Sequence, residues 1–132
     1  EVPEIIYIKK KNTPIKKGFS KAENSILYWL TFNHITFEFQ KRFVDCKDKN
    51  TLPFDFYIPS LNLCIEYQGS QHYDPGFYIR KMKSKKEGMK KYLLQKKHDE
   101  IKKNYCKLNN INFLEIKYNE NIETKLKEAL IW

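Results

Sequence analysis

Asp55, Glu66 and His72 fall close together in the stretch LPFDFYIPSLNLCIEYQGSQHY, from Leu52 to Tyr73. Carboxylates held side by side are oxygen ligands for a hard divalent cation such as Mg²⁺. A bound cation of that kind bridges phosphate oxygens and acts as a Lewis acid. An imidazole nearby moves protons at neutral pH. The carboxylates are therefore suited to a cation that meets phosphate oxygens, provided the fold brings them together. For His72 the competing reading is a hydrogen-bonded loop histidine.

Two short apolar runs, 54–58 and 63–67, flank Pro59-Ser60-Leu61-Asn62 and read as a hairpin. Alternation puts Phe54, Phe56 and Ile58 on one face and Leu63, Ile65 and Tyr67 on a matching one, leaving Asp55, Glu66 and Gln68 elsewhere. A turn centred between Ser60 and Leu61 sets Asp55 directly opposite Glu66. Directly opposed Cβ atoms lie about 4.5–5.5 Å apart, where like charges repel, so a cation is one remedy. The other is a register slipped by one residue, which sends one carboxylate to solvent. The residues alone leave both open.

The flanking elements follow from capping and period. Ser20-Lys21-Ala22-Glu23 has the form of a capping box ahead of a helix running to about Phe32. Glu23 caps in that reading, yet it shares a stripe with Ile26, Leu27 and Leu30 and so also points inward. His34 falls at the turn beyond. Residues 35–43 alternate as a half-buried strand, and the charged loop 44–51 is expected to be solvated, with no chemistry at Asp45 or Asp48. Residues 69–88 carry a turn signal at Asp74-Pro75-Gly76 but no convincing period. Residues 90–109 read as the longest helix, with Gln95, Asp99, Lys102 and Cys106 along one stripe beside the apolar one. Asp99 is there an exposed partner for Lys102 or Lys103. A strand at 112–118 and a short helix at 122–130 complete an order of helix, three strands, helix, strand, helix.

Composition narrows the partner. Against 16 Asp and Glu stand 25 Lys and Arg, a formal net charge of +9 over 132 residues, and such a surface favours polyanions. Arg80, Lys81, Lys83, Lys85 and Lys86, beside Phe77 and Tyr78, form a basic segment suited to phosphate contacts. Residues 1–18 read as a basic arm or linker and 19–132 as the folded domain, and a chain opening on Glu1 is expected to be a module of something longer. Cys46, Cys64 and Cys106 are widely spaced without a C-x-x-C pair, which argues against a zinc site or disulfide framework and fits a reducing intracellular setting, cytoplasm or nucleoid rather than secretion. No apolar run approaches a membrane span. The abundance of Lys, Asn and Ile fits an AT-rich genome such as that of a phage, virus or mobile element.

Pro53-Phe54-Asp55 followed by Glu66-Tyr67-Gln68 resembles the core motif of the PD-(D/E)XK nucleases, with Gln68 where lysine is usual. Gln71-His72 just beyond the strand, Glu23 on the early helix, and Asp99 with Lys102, Tyr105 and Cys106 on the late helix are similar to the branch of very-short-patch-repair and phage homing endonucleases. The resemblance spans about 19–118. It implies an α/β restriction-endonuclease-like core, a mixed central β-sheet flanked by helices. It further implies a Mg²⁺- or Mn²⁺-dependent DNA endonuclease with Glu23, Asp55, Glu66, Gln68, His72 and Asp99 in the active site. In that set Asp55 and Glu66 hold the metal, and cutting of both strands calls for a homodimer or two successive events. Gln68 can only donate and accept neutral hydrogen bonds, which leaves open an inactive DNA-binding module attached to other domains. An RNA-directed nuclease is a further reading.

Overall fold

In the computed structural model residues 19–130 are described. The expected basic arm at 1–18 lies outside them. Ser20 opens α1 (Lys21–Phe32) with a complete capping box. Its Oγ accepts the Glu23 amide at 3.1 Å, and Glu23 Oε1 accepts the Ser20 amide at 2.8 Å. Ile26, Leu27, Trp29 and Leu30 are buried, so the stripe expected from spacing faces the core. His34 sits exposed in the turn after α1 with φ of 58°.

Four strands follow in sheet order, β1 (Glu38–Lys47), β2 (Thr51–Ile58), β3 (Leu63–Gln68) and β4 (Asn112–Lys117). The first three are antiparallel neighbours and β4 joins β3 in parallel, so the sheet is mixed. β1 begins later than the 35–43 run and continues through residues expected to be loop, because Arg42 pairs with Pro53 and Lys47 with Thr51 across a tight connection. Between β3 and β4 lie α2 (Pro75–Lys81) and α3 (Lys85–Leu108), and the chain ends its described part in α4 (Ile122–Leu130). A parallel pair needs such a long crossover.

Residues 69–88, which show no convincing period, hold α2 and the start of α3. Asp74 caps α2 by accepting the Gly76 amide at 2.9 Å, with Pro75 at the first helical position. Ser84 caps α3 by accepting the Glu87 amide at 3.1 Å. Seven residues are too few to display a period, which is why α2 is invisible to pattern. Gly88 is needed where the two helices meet: a Cβ there would lie 2.6 Å from Ile79 Cα and 2.7 Å from its amide nitrogen.

The sheet separates two apolar layers. Phe56, Ile58, Leu63, Ile65 and Ile116 pack with α1 and α4. Phe54, Cys46, Cys64 and Cys106 form the other layer under α3. Phe54 and Phe56, expected on one face, therefore lie on opposite faces. Strict alternation breaks between them, at Asp55. Gln40, which would oppose Asp55 on β1, is unpaired and holds a left-handed φ of 57°, a rare conformation for a residue with a side chain. The three cysteines are free, and burial pushes the Cys46 thiol up to about 11.

Candidate active site

The break at Asp55 is filled by side chains. Phe56 pairs with Ile65, Tyr57 with Cys64 and Ile58 with Leu63. This is the register that sets Asp55 against Glu66, and the slipped alternative is excluded. The backbone ladder stops there, because the Asp55 amide donates to Glu66 Oε2 at 2.6 Å and the Tyr67 amide donates to Asp55 Oδ2 at 2.8 Å. Each carboxylate takes a donor that an ordinary ladder would give to a carbonyl, and charge-assisted bonds of this kind are the stronger ones.

Lys102 meets the charge of the pair. From α3 its Nζ reaches Glu66 Oε1 at 2.5 Å and the Pro53 carbonyl at 3.0 Å. The pairing follows from two matched spacings. Two residues advance a strand by about 6.6 Å and four advance a helix by about 6 Å, so antiparallel α3 sets Lys102 on Glu66 and Cys106 on Cys64. Burial nevertheless raises the Glu66 carboxyl above its ordinary value, with Lys102 and the Asp55 amide pulling the other way. For Asp55, burial first and Glu66 second lift the carboxyl to about 7, with Glu23 adding to the rise and the Tyr67 amide and Lys102 opposing it.

Asp55 opens into a cleft of about 440 Å³ lined also by Lys21, Glu23, Tyr67, Gln71 and His72. The N-terminus of α1 delivers Glu23 to this wall while it caps the helix. Glu23 thus both caps α1 and lines the cleft. His72 belongs to a single 3-10 turn directly after β3 and is the wall between this cleft and a second of about 260 Å³ over α3. Its Nδ1 lies 2.8 Å from Asp99 Oδ2, and its Nε2 lies 3.0 Å from Gln95 Nε2. With Asp99 ionised, the neutral ring carries its proton on Nδ1 and donates it to that carboxylate. Tyr78 of α2 donates in turn to Gln95 Oε1 at 2.7 Å.

Of the six expected site residues, Glu23, Asp55 and His72 line one cleft, Asp99 backs His72, and Glu66 lies behind Asp55. Gln68 stands apart. It is 3% exposed, and its Oε1 is buried without a hydrogen-bond partner. Lys102 supplies the positive charge beside Glu66 that Gln68 cannot. Sequence reasoning placed Lys102, Asp99 and Gln95 on one helical stripe but gave catalytic weight to Asp99 alone. Arg80, Lys81, Lys83, Lys85 and Lys86 are exposed; they ride on the end of α2, the link beyond it and the first turn of α3. Asp48, read as solvated, accepts from Lys97 and faces His98 Nε2 at 3.0 Å. These contacts tie the β1–β2 turn to α3, and the His98 hydrogen bond holds Asp48 below the usual carboxylate range.

Among the described residues no group of three or more His, Cys, Asp or Glu side chains is arranged to hold a metal ion. The donor set at Asp55 still fits a hard cation. Its oxygen chemistry is right, its carboxyl is raised by burial and then by the neighbouring Glu66 charge, and Mg²⁺ is commonly bound by one or two carboxylates with water and phosphate completing the shell. No described helix is long and apolar enough to cross a membrane.

No family model and no solved structure matches the chain. It is similar to Uncharacterized protein 307L of Invertebrate iridescent virus 6, with 36% identity over 67 residues. The match covers 51% of this chain and 31% of that protein.

Proposed function

We propose that the protein is a metal-dependent DNA endonuclease that hydrolyses phosphodiester bonds, with a restriction-endonuclease-like core. The observation that carries this reading is the convergence of Asp55, Glu23 and His72 on one cleft, with Asp99 behind His72. Asp55 would hold Mg²⁺ or Mn²⁺, with Glu66, bonded to the Asp55 amide, or Glu23, on the same cleft, as the further carboxylate. When bound, the cation supplies charge neutralisation at the scissile phosphate and Lewis acidity toward the attacking water.

The chain's own groups do the rest. His72 takes the proton of the attacking water on Nε2 when that water displaces the Gln95 amide found there in the resting protein, and Asp99 stabilises the imidazolium by holding Nδ1–H. Lys102 offsets part of the negative charge of the Asp55–Glu66 pair and opposes the rise of the Asp55 carboxyl. The exposed Lys81, Lys83, Lys85 and Lys86 grip the backbone of DNA. A net charge of +9 supports a polyanionic substrate.

Gln68 favours a second reading, a DNA-binding module without catalysis, because the strand position usual for lysine holds a buried neutral amide. Supercoiled-plasmid nicking in Mg²⁺, Mn²⁺ and chelator separates the two. Metal-dependent nicking supports the enzyme, and salt-sensitive binding without nicking supports the module. An RNA substrate compared in parallel fixes the nucleic acid.

A further inference from the structure

His72 has both ring nitrogens engaged, and the partner on Nε2 is the unusual one. Asp99 is an acceptor on the Nδ1 side, whereas Gln95 is an amide with a donor and an acceptor on one rotatable group. Tyr78, beyond it, carries a hydroxyl that also works in either direction. We infer that Gln95 and Tyr78 are positioning residues that keep Nε2 of His72 hydrogen-bonded in both protonation states by reversing the direction of their two bonds.

The bookkeeping of donors closes in each state. With neutral His72, Gln95 Nε2–H donates to the ring and Gln95 Oε1 accepts from Tyr78, as observed at 3.0 and 2.7 Å. With protonated His72, a half-turn of the amide lets Oε1 accept Nε2–H while the amide nitrogen donates to the Tyr78 oxygen. Asp99 accepts Nδ1–H throughout, at 2.8 Å. An apolar residue at 95 would leave Nε2 bare, and a carboxylate there would serve the protonated ring alone. Of these three, the amide alone serves both. The bond from Tyr78 depends on α2 being seated on α3, which the close approach of Gly88 to Ile79 provides.

The inference rests on the reading of His72 as the proton acceptor only in its consequence for cleavage. The relay itself is a property of the resting protein. The titratable groups that line the two clefts bordered by His72 are Asp99, Lys91, His98 and Lys102 on α3, Tyr78 on α2, Lys21 and Glu23 on α1, Asp55 on β2 and Tyr67 on β3. These remain the same in a variant changed only at 95, so a difference between variants reports the group on Nε2.

The test is the titration of the His72 ring followed by NMR in the native chain, Q95E, Q95L and Y78F, with plasmid nicking measured across pH in parallel. Q95E places a second carboxylate against the ring, and its His72 titration midpoint rises by about one to three pH units, the range for an opposite charge at this separation. The acid limb of nicking rises by the same amount. Q95L and Y78F alter the ratio of ring tautomers without that rise. If Q95E does not fold, Q95L and Y78F still decide, because unchanged His72 resonances and titration in both would overturn the relay, as an unmoved midpoint in folded Q95E would. Absence of nicking in every protein, with the NMR shifts as expected, would sink the nuclease reading and leave the relay standing.

Discussion

The amide of Asp55 donates to the carboxylate of Glu66 at 2.6 Å, at the one place where the β2–β3 ladder stops. Two acids that a plain hairpin would set against each other are instead joined through the backbone, with Asp55 turned toward the cleft and Glu66 toward Lys102. The cost is a buried acidic pair. The following expectations arise from how that cost is met.

Stability without metal should fall with pH. The Asp55 carboxyl is raised from 3.8 to about 7 in the folded chain, so between those values the native state binds more protons than the unfolded state. Stability is therefore highest below pH 4 for this group and is lost as pH rises toward 7. Thermal melts in chelator should show that loss, Asp55→Asn should flatten it, and Mg²⁺ should restore more stability at pH 8 than at pH 5.

Lys102 should matter as a charge partner. Lys102→Met leaves Glu66, 3% exposed, as an uncompensated buried carboxylate, a change that typically costs about 3–5 kcal/mol. Glu66→Gln in the same chain should recover most of it. Urea unfolding at pH 8 of both singles and the double variant measures the coupling, and additive losses would refute it.

The basic edge should act through counterion release. Each phosphate contact contributes a slope of about 0.9 in log K against log salt on duplex DNA. Neutralising Lys81, Lys83, Lys85 and Lys86 together should lower both affinity and that slope, while the same changes leave thermal stability nearly untouched because all four are exposed.

Gly88→Ala should dislodge α2. The added Cβ meets Ile79 backbone atoms at 2.6 and 2.7 Å, and backbone yields less readily than a side-chain tip. Amide hydrogen exchange should quicken over 75–81 while β4 keeps its protection. Equal protection of α2 in both proteins would contradict the close packing.

Much of the frame was legible from local rules. Ser20 and Glu23 announced α1 through a capping box, and Pro59 to Asn62 marked the hairpin, while its register, opposing Asp55 to Glu66 or slipped by one, was settled only by the observed pairing. Period failed where the chain departs from regular geometry. Phe54 and Phe56 changed layers because side-chain acceptors interrupt the strand at Asp55, and α2 is too short to show a repeat. Lys102, Gln95 and the Asp48–His98 contact depend on how α3 is placed in the fold, and separations of 23 to 50 residues carry no local signal. The stripe shared by Gln95, Asp99, Lys102 and Cys106 was visible; that it turns toward β3 was not.

Plasmid nicking by the native chain and by Asp55→Asn, in Mg²⁺, Mn²⁺ and excess chelator, tests the central claim most directly. Asparagine can still accept the Tyr67 amide, so the fold should persist. The account predicts nicking by the native chain that needs metal and that vanishes in Asp55→Asn while its melting transition remains cooperative. Undiminished nicking by that variant, or none by the folded native chain in either metal, would contradict it.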